Sequence, residues 1–146
     1  MATHAEKRVL HHSPEQLFDL VADVERYPEF LPWCIGARIR SRRENVLIAD
    51  LIIGFKGIRE KFTSEVTPDR AAMRVDVAYR DGPFKYLNNH WIFNAQPDGG
   101  CEIDFFVDFE FRSRLLQRIM GLLFNEAVRR MVSAFEARAD QLYGRN

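Results

Sequence analysis

The chain contains four histidines, the residue type that most often transfers protons or binds metals near neutral pH. They are His4, His11, His12 and His90. A hydrolase needs a nucleophile and an orienting group beside such a base, and no Ser, Cys or Thr lies in a recognised nucleophile motif. His11 and His12 are neighbours at the end of a predicted strand, so their side chains point to opposite faces and cannot share a metal from that strand. We therefore expect no catalytic residue and no metal site.

Three acids, Asp104, Asp108 and Glu110, form a second candidate metal cluster. They lie in a segment, 102–111, in which large apolar residues recur at every second position, the pattern of a strand with one buried and one solvated face. The apolar set is Ile103, Phe105, Val107, Phe109 and Phe111. We interpret the acids as the solvated face of this strand.

Glu60 is an acid whose position depends on how the segment 58–67 folds. Apolar residues recur there every four positions, as in a helix, but the β-branched residues favour a strand. A strand places Glu60 on the inner face with Phe62, where burial disfavours a charged group unless Arg59 or Lys61 compensates. Glu60 is then either a polar contact for a bound ligand or a salt-bridged residue, at the open rim or along the strand.

The arginines of segment 38–43 are the most pronounced charge feature. They are Arg38, Arg40, Arg42 and Arg43, with the last two at a predicted hairpin tip. Such a run forms a solvated edge that discourages aggregation between strands. It is also suited to contact anionic lipid headgroups or ribosomal RNA. All three interpretations stay open, so these residues are our candidates for membrane or RNA contact.

The elements that position these residues follow from capping signals and periodicity. A strand is predicted over 6–11, and a helix from Ser13, where Pro14 and Gln16 complete a capping box. The two prolines of 27–34 predict a short kinked turn. About six antiparallel strands follow, and then a helix of about 30 residues. Its apolar stripe is Leu116, Met120, Leu123, Ala127, Met131, Phe135 and Leu142.

A curved antiparallel sheet buries its apolar face only against another element, and the C-terminal helix is the one long enough to cover it. We therefore predict an α+β fold in which the sheet wraps around this helix and leaves room for a hydrophobic cavity or tunnel. The residues expected to shape its mouth or lid are Tyr27, Phe30, Leu31 and Trp33. The other predicted lining residues are Leu51, Ile53, Glu60, Phe62, Val77, Tyr79, Trp91, Phe93, Phe105, Val107, Phe109, Leu116, Met120, Leu123 and Phe135.

Length and composition indicate a single globular domain over residues 1–146. Hydrophobic residues make up 47% and charged residues 29%, with 21 basic and 21 acidic side chains. A net charge of zero argues against a protein that works mainly by coating nucleic acid, and we expect no DNA partner. Cys34 and Cys101 are too few for a disulfide framework, and Cys34 is interpreted as a small buried hydrophobe. Without a secretory signal, transit peptide or apolar span, the chain is expected to be cytoplasmic, with peripheral contact to the inner membrane as an option.

Four blocks of residues resemble a known family. They are Tyr27–Cys34, Gly54–Glu60, Gly82–Lys85, and Asp108–Phe111 with Ala134–Ala139. Together they resemble the START-like, helix-grip (Bet v-like) superfamily of polyketide cyclases/dehydrases and lipid transport proteins. More narrowly, the chain resembles its coenzyme Q-binding branch, whose bacterial members include the ribosome association toxin. The resemblance implies a hydrophobic tunnel for a polyisoprenoid quinone and extends over nearly the whole chain.

Three functions are compatible with this resemblance. The leading hypothesis is a noncatalytic binder of ubiquinone that supports respiratory electron transport, with no covalently bound cofactor and with transient contact to membranes or respiratory complexes. The second is a toxin that binds a ribosomal subunit and blocks subunit association. The third is an enzyme of the cyclase/dehydrase type, which has the least support because no acid–base pair stands out.

Overall fold

The computed structural model describes residues 2–55 and 57–144, and gives the backbone alone for Ala2, Phe55, Ile58, Met120 and Leu122. One strand and two short helical segments precede six strands and one long helix. The elements are β1 (Ala2–Leu10), α1 (Pro14–Ala22), a 3-10 helix (Val24–Glu29), β2 (Cys34–Arg43), β3 (Val46–Phe55), β4 (Ile58–Asp69), β5 (Arg74–Asp81), β6 (Phe84–Ala95), β7 (Cys101–Phe111) and α2 (Arg114–Tyr143). The predicted order of elements is confirmed, although β1 begins earlier than predicted.

All strands belong to one antiparallel sheet in the order β1-β7-β6-β5-β4-β3-β2. The alternation predicted for β7 is present, since Ile103, Phe105 and Phe109 are buried while Asp104 and Asp108 are half-buried on the other face. The segment 58–67 is a strand, as predicted, and Ser64 and Val66 are buried on the face that Glu60 shares. The sheet therefore has one apolar face along which a helix can pack.

Capping residues set the ends of the helices. The Ser13 hydroxyl accepts a hydrogen bond from the Gln16 amide at 3.2 Å, and the Gln16 side chain accepts one from the Ser13 amide at 3.1 Å. This is the predicted capping box. At the start of α2, the Ser113 hydroxyl accepts a hydrogen bond from the Leu116 amide. Gly144 follows the last turn of this helix and has a positive φ of 78°. Because glycine adopts this conformation readily, the helix ends there.

The buried stripe of α2 differs from the predicted one. Leu142 is 51% exposed, so its inclusion in the stripe was wrong, and Leu116, Leu123, Ala127 and Met131 are only half-buried. The residues that are fully covered are Phe124, Val128, Val132, Phe135 and Ala139. Leu116, Ala127 and Met131 are half-buried because they border an open space between the helix and the sheet, and polar side chains attach the other flank of the helix to β1.

This attachment runs along the β1 edge of the sheet. Arg8 contacts Glu136 and the Ser133 hydroxyl, each at 3.2 Å. Just beyond the strand, His12 is buried and its Nε2 lies 2.8 Å from an Asp140 oxygen, whereas His11 is exposed. Since ion pairs and hydrogen bonds hold α2 on this side, its apolar flank faces the middle strands of the sheet.

Candidate functional site

Between α2, the segment 24–34 and the concave face of the sheet lies a cavity of about 290 Å³. This is near the small end of the roughly 300–1,000 Å³ typical of ligand pockets. The predicted lining residues that border it are Tyr27, Leu31, Trp33, Leu51, Ile53, Glu60, Phe62, Val77, Trp91, Phe105, Val107, Phe109, Leu116 and Phe135. The described residues enclose a cavity and do not show the predicted tunnel, and ligand binding by these residues stays a prediction.

Several predicted residues lie elsewhere. The Phe30 ring packs on Phe135 at 5.1 Å, and Phe93 packs on Phe18 at 6.0 Å, both in the core beside the cavity. The Tyr79 hydroxyl accepts a hydrogen bond from the Phe84 amide at 3.1 Å. Leu123 is half-buried on α2 without bordering the cavity, and the side chain of Met120 lies outside the described residues.

An aromatic group forms the wall at one end of the cavity. Phe84 lies at its centre, with ring centroids 5.5 Å from Phe62, 5.3 Å from Phe109 and 4.7 Å from Phe111. Gly82 permits this packing, because a Cβ atom there would lie 2.6 Å from the Cβ of Phe62. The rings meet edge to face or stacked, arrangements that stabilise aromatic clusters. The wall is therefore rigid and apolar.

A second aromatic group lies deeper, between the sheet and α2. Trp91 contacts Phe105 at 4.6 Å and Phe135 at 4.9 Å, measured between ring centroids. Phe124, which the sequence did not single out as a lining residue, packs on Phe109 at 4.9 Å. Both groups lie on the cavity wall, so the site offers a ligand mainly carbon atoms.

The polar groups at the cavity are few. The Tyr27 hydroxyl donates to the Val21 carbonyl, and burial raises its pKa far above the ordinary value, so it stays neutral and already paired. The Cys34 thiol lies 3.4 Å from the Gly36 carbonyl, and burial raises its pKa as well. Glu60, Ser64 and Asn89 also line the cavity. Ser64 and Asn89 were not among the predicted lining residues.

The candidate catalytic residues lie away from this cavity. The His90 ring stacks on Phe106 at 5.4 Å on the outer face of the sheet. Lys85 contacts Glu110 at 2.8 Å, and this hydrogen bond lowers the pKa of the Glu110 carboxyl. Within residues 2–55 and 57–144 no group of three or more His, Cys, Asp or Glu side chains is arranged to hold a metal ion. The same part of the chain has no helix long and apolar enough to cross a membrane.

The arginines of segment 38–43 lie on the outer face of the sheet and at the β2–β3 hairpin. Arg38 and Arg40 flank the buried Asp50 carboxylate at 3.9 and 3.6 Å, and Lys61 lies 3.7 Å from it. The Arg42 guanidinium pairs with Glu25 at 2.8 Å, a contact between exposed groups. Three bases around one acid leave this surface positive, and its role in membrane or RNA contact stays a prediction.

A strongly curved antiparallel sheet closed by one long C-terminal helix, with an apolar cavity between them, is the helix-grip fold of START-like proteins. A START superfamily protein from Mycobacterium smegmatis superposes with a TM-score of 0.83 over 96% of this chain and 98% of its own, at 19% identity. That likeness concerns the fold alone. Residues 10–136 match the family described as polyketide cyclase / dehydrase and lipid transport, and the chain belongs to this family.

Two relatives narrow the position within the family. The ribosome association toxin RatA of Rickettsia prowazekii is 37% identical over 97% of this chain and 99% of its own length. The mitochondrial coenzyme Q-binding protein COQ10 homolog B of Xenopus laevis is also 37% identical over 97% of this chain, which spans 59% of that longer protein. The predicted resemblance is confirmed, and neither relative is named as an enzyme.

Proposed function

We propose that this protein is a noncatalytic carrier that holds a long apolar ligand between α2 and the sheet. The observation that supports it is the cavity of about 290 Å³ walled by Trp91, Phe105, Phe109 and their neighbours. Each methylene group that moves from water into such a site contributes about 0.8 kcal/mol, so ten contribute about 8 kcal/mol before ordering costs. A tail loses about the same free energy when it leaves a membrane for water, so burial in the cavity offsets this cost without any catalytic group.

The ligand that we propose is ubiquinone or a similar polyisoprenoid quinone. The similarity to a coenzyme Q-binding protein supports this choice, as do the motifs of segments 27–34 and 54–60. A cavity of this size holds a ring and the first part of a tail, and we propose that it widens into a tunnel when the tail enters. Shielding the tail would let the protein pass quinone between the membrane surface and respiratory complexes.

Organic extraction of the purified protein followed by mass spectrometry tests this proposal. We expect a prenylated quinone in the extract, in a molar ratio approaching one per chain when the protein is purified from quinone-replete cells. Reconstitution of delipidated protein should give saturable binding. An extract without quinone, together with no saturable binding on reconstitution, would refute the proposal.

A second candidate function is binding to a ribosomal subunit so that subunit association is blocked. The similarity to RatA over almost the full length of both chains favours it, and the positive surface around Arg38, Arg40 and Lys61 provides contacts for RNA phosphates. Sedimentation of ribosomes with added protein tests it. A shift from whole ribosomes to free subunits is expected, and an unchanged profile at excess protein would exclude this function.

A further inference from the structure

Two polar side chains of β4 border the apolar cavity without a protein partner. Ser64 is only 1% exposed, and Glu60 is half-buried on the same face of the strand. Neither side chain makes a hydrogen bond or ion pair with another residue in the part of the chain described. Both residues line the cavity, so a ligand held there can supply hydrogen-bond partners for the hydroxyl and the carboxylate.

A third polar group faces the cavity from β6. The Asn89 amide nitrogen donates to the Phe106 carbonyl at 2.8 Å, which fixes the orientation of the amide and leaves its oxygen and its second N–H available. A carboxylate only accepts hydrogen bonds, whereas a serine hydroxyl and a side-chain amide can donate or accept. Of these three residues, Glu60 is therefore the one that requires a donor from the ligand.

The spacing along β4 indicates what shape of ligand reaches them. Glu60 and Ser64 are four residues apart on one strand, which separates their Cα atoms by about 13 Å. A single oxygen atom cannot contact both side chains across this distance. A ring with oxygen atoms on opposite sides can lie between them, with one oxygen directed to each residue.

Resting on the proposed function, we infer that the site binds the hydroquinone form of its ligand in preference to the quinone form. The two forms share ring and tail, and differ by the two hydrogen atoms that turn both carbonyl oxygens into hydroxyl groups. A hydroxyl donates to the Glu60 carboxylate, whereas a carbonyl oxygen leaves it unpaired and repelled. Ser64 serves either form, because its hydroxyl can donate to a carbonyl or accept from a hydroxyl. The discrimination therefore comes from Glu60.

Anaerobic titration of the delipidated protein with a decyl-substituted benzoquinone and with its hydroquinone tests the inference. A hydrogen bond to a charged group implies that the hydroquinone binds about tenfold to a hundredfold more tightly. In Glu60→Gln the preference is expected to shrink to about threefold or less, because an amide both donates and accepts. Glu65→Gln is the matched control, since Glu65 belongs to the same strand but to the opposite face. It is expected to keep the full preference.

The outcomes separate this inference from the proposed function. Equal affinity for both forms in the unmodified protein overturns the inference and leaves an apolar carrier intact. A preference that persists in Glu60→Gln overturns the role of Glu60. Failure of both forms to bind overturns the proposed function itself. The comparison within the unmodified protein requires no variant, so a misfolded variant cannot obscure the result.

Discussion

Filling part of the cavity should weaken ligand binding without harming the fold, and Val77→Phe is the change that tests this best. Val77 is half-buried on β5 and borders the cavity, so a larger side chain there has empty space to enter. Phenylalanine carries four more carbon atoms than valine, and each carbon atom that it places in the cavity displaces about one methylene group of the ligand. At about 0.8 kcal/mol per methylene group, the loss is about 3 kcal/mol.

This loss corresponds to an increase in Kd of about a hundredfold. Isothermal titration calorimetry with a decyl-substituted quinone measures it, and thermal unfolding shows whether the variant is folded. Val9→Phe is the control, because Val9 is 60% exposed on the outer side of β1 and the same change there should leave Kd unaltered. A folded Val77→Phe variant that binds as tightly as the unmodified protein would show that the ligand does not occupy this cavity.

Further predictions concern the ligand, the core and the cavity thiol. In a series of alkyl-substituted quinones, each added methylene group should tighten binding about fourfold until the tail leaves the protein, as measured by competition titration; a flat series would contradict burial of the tail. Ile103→Ala should lower the free energy of unfolding, measured in urea, by about 2–5 kcal/mol, because Ile103 is 2% exposed. The control Ile35→Ala should change it by less than about 0.5 kcal/mol, because Ile35 is 49% exposed. Equal effects would refute the assignment of the core. Iodoacetamide should alkylate Cys34 much more slowly in the native protein than in urea at pH 7.5, because burial raises the pKa of this thiol and keeps it protonated. Rapid native labelling, followed by peptide mass spectrometry, would contradict a buried Cys34.

Most of the architecture could be predicted from local patterns. The capping box at Ser13 and the period-two segment 102–111 each depend on neighbouring residues, and both are present as expected. A strand over 58–67 was predicted from residue types although the apolar spacing also suited a helix, and the observed strand spans Ile58–Asp69. Local physical chemistry therefore defined the elements, and the need to cover one apolar sheet face defined the order of layers.

The full extent of the covered face of α2 could not be predicted from its own sequence. The helix is apolar on a wide face, and contacts with β1 decide which part of that face is covered. Arg8 and Glu136 are 128 residues apart, so their pairing depends on the folded topology. Leu142 was assigned to the core for this reason, although it lies in solvent.

The polar residues of the site are a second feature that the sequence predicted only in part. Alternation along β4 placed Glu60 and Ser64 on the inner face, as the structure does, but only Glu60 was included in the predicted lining. The cluster of bases around Asp50 depends on strand register, because Arg38 and Asp50 face each other across β2 and β3. A site made from facing strands becomes visible only after the strands are paired.

A crystal structure of the delipidated protein saturated with the decyl-substituted hydroquinone tests the central claim most directly. We predict electron density for the ligand between α2 and the sheet, with its tail against Trp91 and Phe105 and a ring oxygen within hydrogen-bond distance of Glu60. An unoccupied cavity at saturation, or a ligand bound on the outer face of the sheet, would contradict the account.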